Sequence, residues 1–270
     1  MNRKNGIGSK IYIGLIFAIL YAPIVVMIFF SFNSSNSMAK FEGFSLRWYT
    51  ELFHNEKAGQ ALVNSLILAV SSSVIATVFG TIAAVGIFRL RSKRIKTVVM
   101  NVSNLPMMNP DIVTGVSMML LFAFVGGMLH FKNFFGFWTL LIAHVTFNMP
   151  YVILNVMPKL KQMDKSLPEA AMDLGCTPFR AFMKVEFFEI LPGIASGLLM
   201  AFTLSLDDFV ISYFVTGTSF QTLPVYIYSM TKRRVVPYIN ALFAIIFLVI
   251  FILLLVRNFM MREKKSKAAK

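Results

Sequence analysis

Three carboxylates, Asp111, Asp207 and Asp208, interrupt stretches that are otherwise apolar over membrane-spanning lengths. An acidic residue at the centre of a membrane helix costs about 2.5–3.5 kcal/mol to insert, so each is expected to face a protein interior or a water-filled path. Paired carboxylates suit a multiply charged cation, because every ammonium that leaves water needs an acceptor and a compensating charge. An anion would be repelled. Asp207 and Asp208 follow Pro192 on one apolar stretch by about 15 residues, which places them ~22 Å up a helix from it. Adjacent positions on a helix lie ~100° apart, so the two cannot point at the same spot. Ser205, just before them, offers a hydroxyl acceptor or simply packs, back-bonded to its own helix. Asn109-Pro110-Asp111 reads as a cap followed by a first-turn proline. A span broken there would restart as a half-helix, with Asp111 either lining a cavity or serving only the helix N-terminus.

Little else in the chain is equipped for covalent chemistry. His54, His130 and His144 show no metal-ligand spacing, and neither a Ser/His/Asp arrangement nor a phosphate-binding glycine loop is present. Cys176 is the single cysteine, which excludes an internal disulfide. The sequence is that of a non-enzyme, with no cofactor of its own.

The elements that must position these carboxylates are membrane helices. Hydrophobic residues make up 57% of 270 positions and charged residues only 14%, a balance foreign to a water-facing globule. Six apolar segments approach or exceed the ~20 residues needed to cross a ~30 Å hydrocarbon core: 11–30, 62–88, 98–125, 134–157, 190–214 and 239–259. The first is longer than a secretory signal core and lacks a small-residue cleavage site, so a retained helix is expected. The whole chain, 1–270, forms one transmembrane domain in this reading.

The net charge of +14 would suggest nucleic acid in a soluble protein. Here the basic residues flank apolar spans, which points to anionic lipid and to topology, and no nucleic-acid partner is expected. Six spans put both termini on one side. Only Lys40, Arg47, Lys57, Lys132 and the Lys232–Arg234 cluster fall on the opposite side, so the termini are expected in the cytosol. No internal repeat links the halves, which disfavours a carrier built by duplication and leaves a symmetric pathway in need of a second subunit.

One cytosolic loop, 158–189, keeps Leu160, Met163, Leu167, Ala170, Ala171 and Leu174 at helical spacing. Ser166-Leu167-Pro168-Glu169 fits a capping box. Gly175 is placed to end that short helix in a left-handed conformation, and Thr177-Pro178 to begin another.

Within this loop Glu169-Ala170-Ala171-Met172-Asp173-Leu174-Gly175 resembles the Glu-Ala-Ala, three residues, Gly motif of ATP-binding-cassette (ABC) importer permeases, before the penultimate span as in that family. The family's continuation, Ile-x-Leu-Pro, is replaced by Val185-Glu186-Phe187-Phe188, and the next proline is Pro192. Further stretches are similar to the second permease subunit of spermidine/putrescine importers: Asn109 to Val113, Phe202 to Asp208, Phe214 to Gly217 and Gly43 to Tyr49.

The resemblance implies an all-α integral membrane protein of the type I ABC importer permease fold, in a bacterial cytoplasmic (inner) membrane. It implies as partners a homologous second permease, two copies of a cytosolic ATPase that holds ATP and Mg, and a periplasmic or extracellular polyamine-binding protein. Glu169, Ala170, Ala171 and Gly175 would form the helix that docks on the ATPase. Asp111, Asp207, Asp208, Ser205 and Trp48 would line the substrate path, with Trp48 and Tyr49 offering aromatic faces to ammonium groups or anchoring the chain at the lipid interface. The alternatives are an ABC permease for another solute, such as a sugar, iron or thiamine, and a secondary cation carrier without an ATPase.

Overall fold

The structure is a computed structural model that describes residues 7–35, 40–131, 134–164, 166–218, 220–233, 238–245, 247–248 and 251. The described residues are helical apart from connections and one isolated antiparallel bridge, Asn33 to Phe44. In chain order the helices are α1 (Ile7–Phe30), α2 (Arg47–Phe53), α3 (Glu56–Arg89), α4 (Lys93–Met108), α5 (Asp111–Met128), α6 (Phe137–Gln162), α7 (Ser166–Asp173), α8 (Pro178–Ala181), a π turn (Phe182–Glu186), α9 (Phe187–Asp207), α10 (Val210–Val215) and α11 (Leu223–Arg233). Five stretches are long and apolar enough to cross a membrane: Lys10–Phe30, Glu56–Arg89, Asp111–Met128, Phe137–Gln162 and Pro178–Asp207. The sixth expected span, 239–259, lies mostly outside the described residues.

The segment 98–125 is broken at Asn109-Pro110, as the sequence indicated, but the restart differs: Asn109 is extended and ends α4, and Asp111 opens α5, which at 18 residues is a membrane-length helix rather than a half-helix. Proline explains the break: Pro110 has no N–H to give to α4, and it pushes Asn109 out of the helical region. Pro110 itself occupies the capping position, its carbonyl accepting from Val113 and Thr114, so Asn109 closes one helix instead of starting the next. The segment 190–214 is likewise interrupted, α9 ending at Asp207 and Asp208 adopting an extended ψ of 120° before α10.

The chain divides into two compact units. In the first, Met1–Gly59 with Ile227–Lys270, the connection after α1 is an ordered knot around Asn33. The Asn33 side chain donates to the Lys40 carbonyl and accepts from the Glu42 and Ser35 backbone, while its own carbonyl accepts from the Trp48 indole. Tyr49 bonds Ser31 through its hydroxyl at 2.7 Å. None of the apolar window of α1 is buried within the chain.

The second unit, Gln60–Tyr226, is organised on α6, which packs against α9, α10 and α4. One apolar cluster gathers Ala84, Ile87, Val152, Val156, Leu160 and Ile190, and another Leu68, Phe122, Leu140, Phe147, Ile211 and Val215. The approach of α3 and α9 to α6 depends on small residues. A Cβ on Gly80 would sit 2.8 Å from Val152 Cβ, and one on Gly193 would sit 2.9 Å from the Asn155 carbonyl oxygen. Small residues at such crossings are the usual means by which membrane helices gain close backbone contact.

Gly80→Val is therefore expected to destabilise the chain by about 1–3 kcal/mol through overpacking. Gly86→Ala, at a position with open space around it, should leave stability unchanged or slightly raised. Thermal unfolding of the two variants in detergent checks the contrast.

Candidate functional site

The three acidic residues singled out in the sequence occupy two helix junctions of the second unit. Asp111 is the first residue of α5 and exposed, where a negative charge favours the helix dipole. Gly115, one turn on, lets α5 lie close to α10: its absent Cβ would fall 2.9 Å from the Phe214 ring and 3.4 Å from the Val210 carbonyl oxygen.

Asp207 and Asp208 flank the break between α9 and α10 and face differently, as their adjacency required. Asp207 is exposed. The Asp208 side chain is only 9% exposed, and its two oxygens accept from the backbone N–H groups of Ile211 (3.2 Å) and Ser212 (2.7 Å). It acts as the N-terminal acceptor for α10 although it stands two residues before the helix begins, an arrangement that satisfies amide donors left free at a helix start.

Behind Asp208 lies His144 of α6, 1% exposed, with Nε2 3.5 Å from Asp208 Oδ2 and 3.1 Å from Ser212 Oγ. The other ring nitrogen, Nδ1, is 2.7 Å from Ser205 Oγ, which also bonds Ser72 Oγ of α3 at 2.8 Å. Ser205 is thus neither back-bonded to α9 nor open to a solute; it bridges three helices. A chain of polar side chains, Ser72, Ser205, His144, Ser212 and Asp208, crosses the apolar interior with its members mutually bonded, as a low-dielectric environment demands. His144 and Ser72 were not among the expected site residues, because isolated polar residues carry no spacing that marks them. The one available signal was that ionisable residues inside membrane spans are functional candidates, and it applied to His144 as much as to the aspartates.

Trp48 belongs to the other unit. It is 2% exposed, its indole N–H is bound to Asn33, and the Arg47 guanidinium lies 5.2 Å from its ring centroid. In this geometry its ring is engaged within the segment that it orders.

The loop expected to couple to an ATPase is built as two short helices. Glu169, Ala170 and Ala171 lie on α7, and Gly175 ends it with φ +86°. The amide of Cys176 bonds the Ala171 carbonyl at 3.0 Å and that of Gly175 bonds the Met172 carbonyl at 2.9 Å, the paired bonds of a Schellman motif, which a residue with a Cβ would strain. Thr177 accepts from Arg180 N–H and Pro178 opens α8, as the sequence indicated.

The helix start differs from expectation. Ser166 is already helical, and the acceptor is Asp164, whose Oδ1 takes the Ser166 backbone N–H at 3.0 Å. That N–H, with the Ser166 hydroxyl, holds the exposed Asp164 carboxyl below its ordinary value. A depressed carboxyl supports the fold above its unfolded pKa of about 3.9 and loses that support as pH falls through the lower folded value, so α7 keeps this acceptor charged throughout the physiological range.

Five membrane-length helices among the described residues are those of a multi-pass membrane protein. Residues 76–264 match the family described as binding-protein-dependent transport system inner membrane component, and the chain belongs to that family, the permease subunits of ABC importers. It is 39% identical over 249 residues to the spermidine/putrescine transport system permease protein PotC of Escherichia coli strain K12, covering 92% of each chain. It is 40% identical over 230 residues to the putrescine transport system permease protein PotI of the same strain, covering 85% of this chain and 82% of that one. The fold is similar to that of a bacterial ABC transporter involved in the import of the acidic polysaccharide alginate, with a TM-score of 0.73, 16% identity and 94% of both chains covered.

Truncating His144 to Leu removes one hydrogen-bond partner from each of Ser205, Ser212 and Asp208 and is expected to cost about 1–3 kcal/mol, against about 0.5–1.5 kcal/mol for Ser72→Ala. Thermal unfolding of the purified protein should rank the two in that order; equal losses would mean that the polar chain is not connected through the imidazole.

Proposed function

We propose that this chain is a membrane-spanning subunit that translocates polyamines, spermidine or putrescine, across a bacterial cytoplasmic membrane by alternating access. The observation that carries the substrate reading is Asp207, an exposed carboxylate at the end of a membrane-length helix, in a chain close in sequence to two polyamine permeases. Among the described residues neither Asp207 nor Asp111 makes an ion pair, so both are free to meet an ammonium group. Asp208 and Ser205 serve the path indirectly, by fixing the break that presents Asp207. Trp48 contributes by ordering the segment that follows α1.

Membership of the family supports the remaining components of the reading. A homologous second permease completes the path, two copies of a cytosolic ATPase supply the energy with ATP and Mg held on that subunit, and a binding protein delivers the polyamine. The charge distribution supports cytosolic termini and a cytosolic loop 158–189. In that loop α7, carrying Glu169, Ala170, Ala171 and Gly175, docks on the ATPase. ATP binding draws the ATPase pair together, α7 moves with it and the path opens toward the binding protein; hydrolysis resets it.

Uptake of labelled spermidine by the complex reconstituted in liposomes tests the reading. Asp207→Asn, which keeps shape but removes charge, should lower uptake at saturating substrate by roughly tenfold, the size expected when a charged hydrogen bond is lost in transit. Capture by the binding protein should be unchanged. Asp208→Asn should reduce uptake less, and its loss should track lowered thermal stability. Unaltered uptake for Asp207→Asn and Asp111→Asn together would remove the polyamine assignment. Separately, Gly175→Val should raise ATP consumption per molecule imported, because a β-branched residue resists φ +86° and deforms the end of α7.

A further inference from the structure

The cytosolic end of α3 and the π turn before α9 are joined by a single cation. Arg89, the last residue of α3, donates from Nη2 to Glu186 Oε1 at 2.9 Å, and its guanidinium lies 5.6 Å from the centroid of the Phe182 ring. Phe182 and Glu186 are the first and last residues of the π turn, so Arg89 holds both ends of the same five-residue segment. Glu186 is 7% exposed and Arg89 is its ion-pair partner. A π turn carries a wider hydrogen bond than the helix around it, here Phe187 N–H to the Phe182 carbonyl, and such turns recur at functional sites.

This junction sits directly behind the coupling helix. α7 packs on the π turn and on α8, and a cavity of about 320 Å³ separates Arg89 and Glu186 from Pro168, Glu169 and Met172 of α7. The space lets α7 shift against the junction. In the other direction α3 is continuous from Arg89 back to Ser72, roughly 25 Å at the helical rise, and Ser72 is the first member of the polar chain that ends at Asp208.

We propose that Arg89 and Glu186, with Phe182, form the joint that transmits movement of α7 into α3 and so to the break beside Asp207. They are positioning residues that touch neither substrate nor nucleotide. The inference rests on α7 being the ATPase-docking helix. While the pair is intact, displacement of the π turn pulls on α3, because separating the charges would leave a carboxylate buried without a counter-ion. Without the pair, α7 and the turn move while α3 stays behind, and ATP is hydrolysed without transport.

The test uses the full complex, with its second permease, ATPase and binding protein, in liposomes, reading ATP hydrolysed per spermidine imported. The variant is Arg89→Met with Glu186→Leu, which removes the joint yet leaves no unpaired buried charge. It should assemble, retain the ATPase on co-purification and consume about fivefold more ATP per molecule imported, within the range by which residues along a coupling route alter coupling. The reversed pair, Arg89→Glu with Glu186→Arg, should recover at least half of the coupling lost in the single Arg89→Gln variant, a rescue that a packing role would not produce. Normal stoichiometry in the assembled Met/Leu complex overturns the joint, and so does loss of the ATPase from that complex, which would assign the pair to docking. Gly175→Val separates the two readings. If it uncouples while the Met/Leu complex does not, only the joint fails; if neither uncouples, the coupling role of α7 fails with it.

Discussion

A carboxylate buried at a helix break has lost its water and must be satisfied by the protein itself. Asp208 meets that requirement with two backbone amides and an imidazole, and each of those partners fixes something further. The amides start α10, the imidazole locates α6, and through Ser205 and Ser72 the same contacts fix α9 and α3. The apolar clusters around Val152 and Leu140 add area on both sides of this line, but apolar contact in a membrane has little directional preference. The polar chain sets the register in which those surfaces meet.

That division of labour leaves one of the two adjacent aspartates exposed. Asp207 is the last residue of α9 and Asp208 lies beyond it in extended backbone, so Asp208 turns into the interior while Asp207 stays exposed. The site is economical in charge: one carboxylate builds the break and the next is displayed by it. The same logic recurs at α7, where Asp164 holds the helix start and leaves Glu169 on the exposed surface.

The sequence disclosed these features unevenly, for physical reasons. Gly175 was legible because a left-handed residue at a helix end has few candidates, and Asn109-Pro110 because a proline disfavours helical backbone at the residue before it. The apolar runs gave the spans, yet hydropathy alone could not stop α9 at Asp207, since the residues on both sides of that break are largely apolar. The start of α7 went to Asp164 rather than Ser166 because two local acceptors competed for one amide. The contacts of His144 with Asp208 and of Arg89 with Glu186 were out of reach, for the partners stand 64 and 97 residues apart and only packing brings them together.

The bonded chain from Ser72 to Asp208 also bears on how the protein is made. Ser72 leaves the ribosome long before His144, Ser205 and Ser212 exist, so the second span must enter the bilayer with a hydroxyl that has only its own helix to bond, as Ser72 still does with the Ala69 carbonyl at 3.4 Å. The interior is complete only after α10 has been synthesised, whatever the rate at which each helix inserts. A nascent chain stalled between α6 and α9 would hold His144 with none of Ser205, Ser212 or Asp208 to receive it.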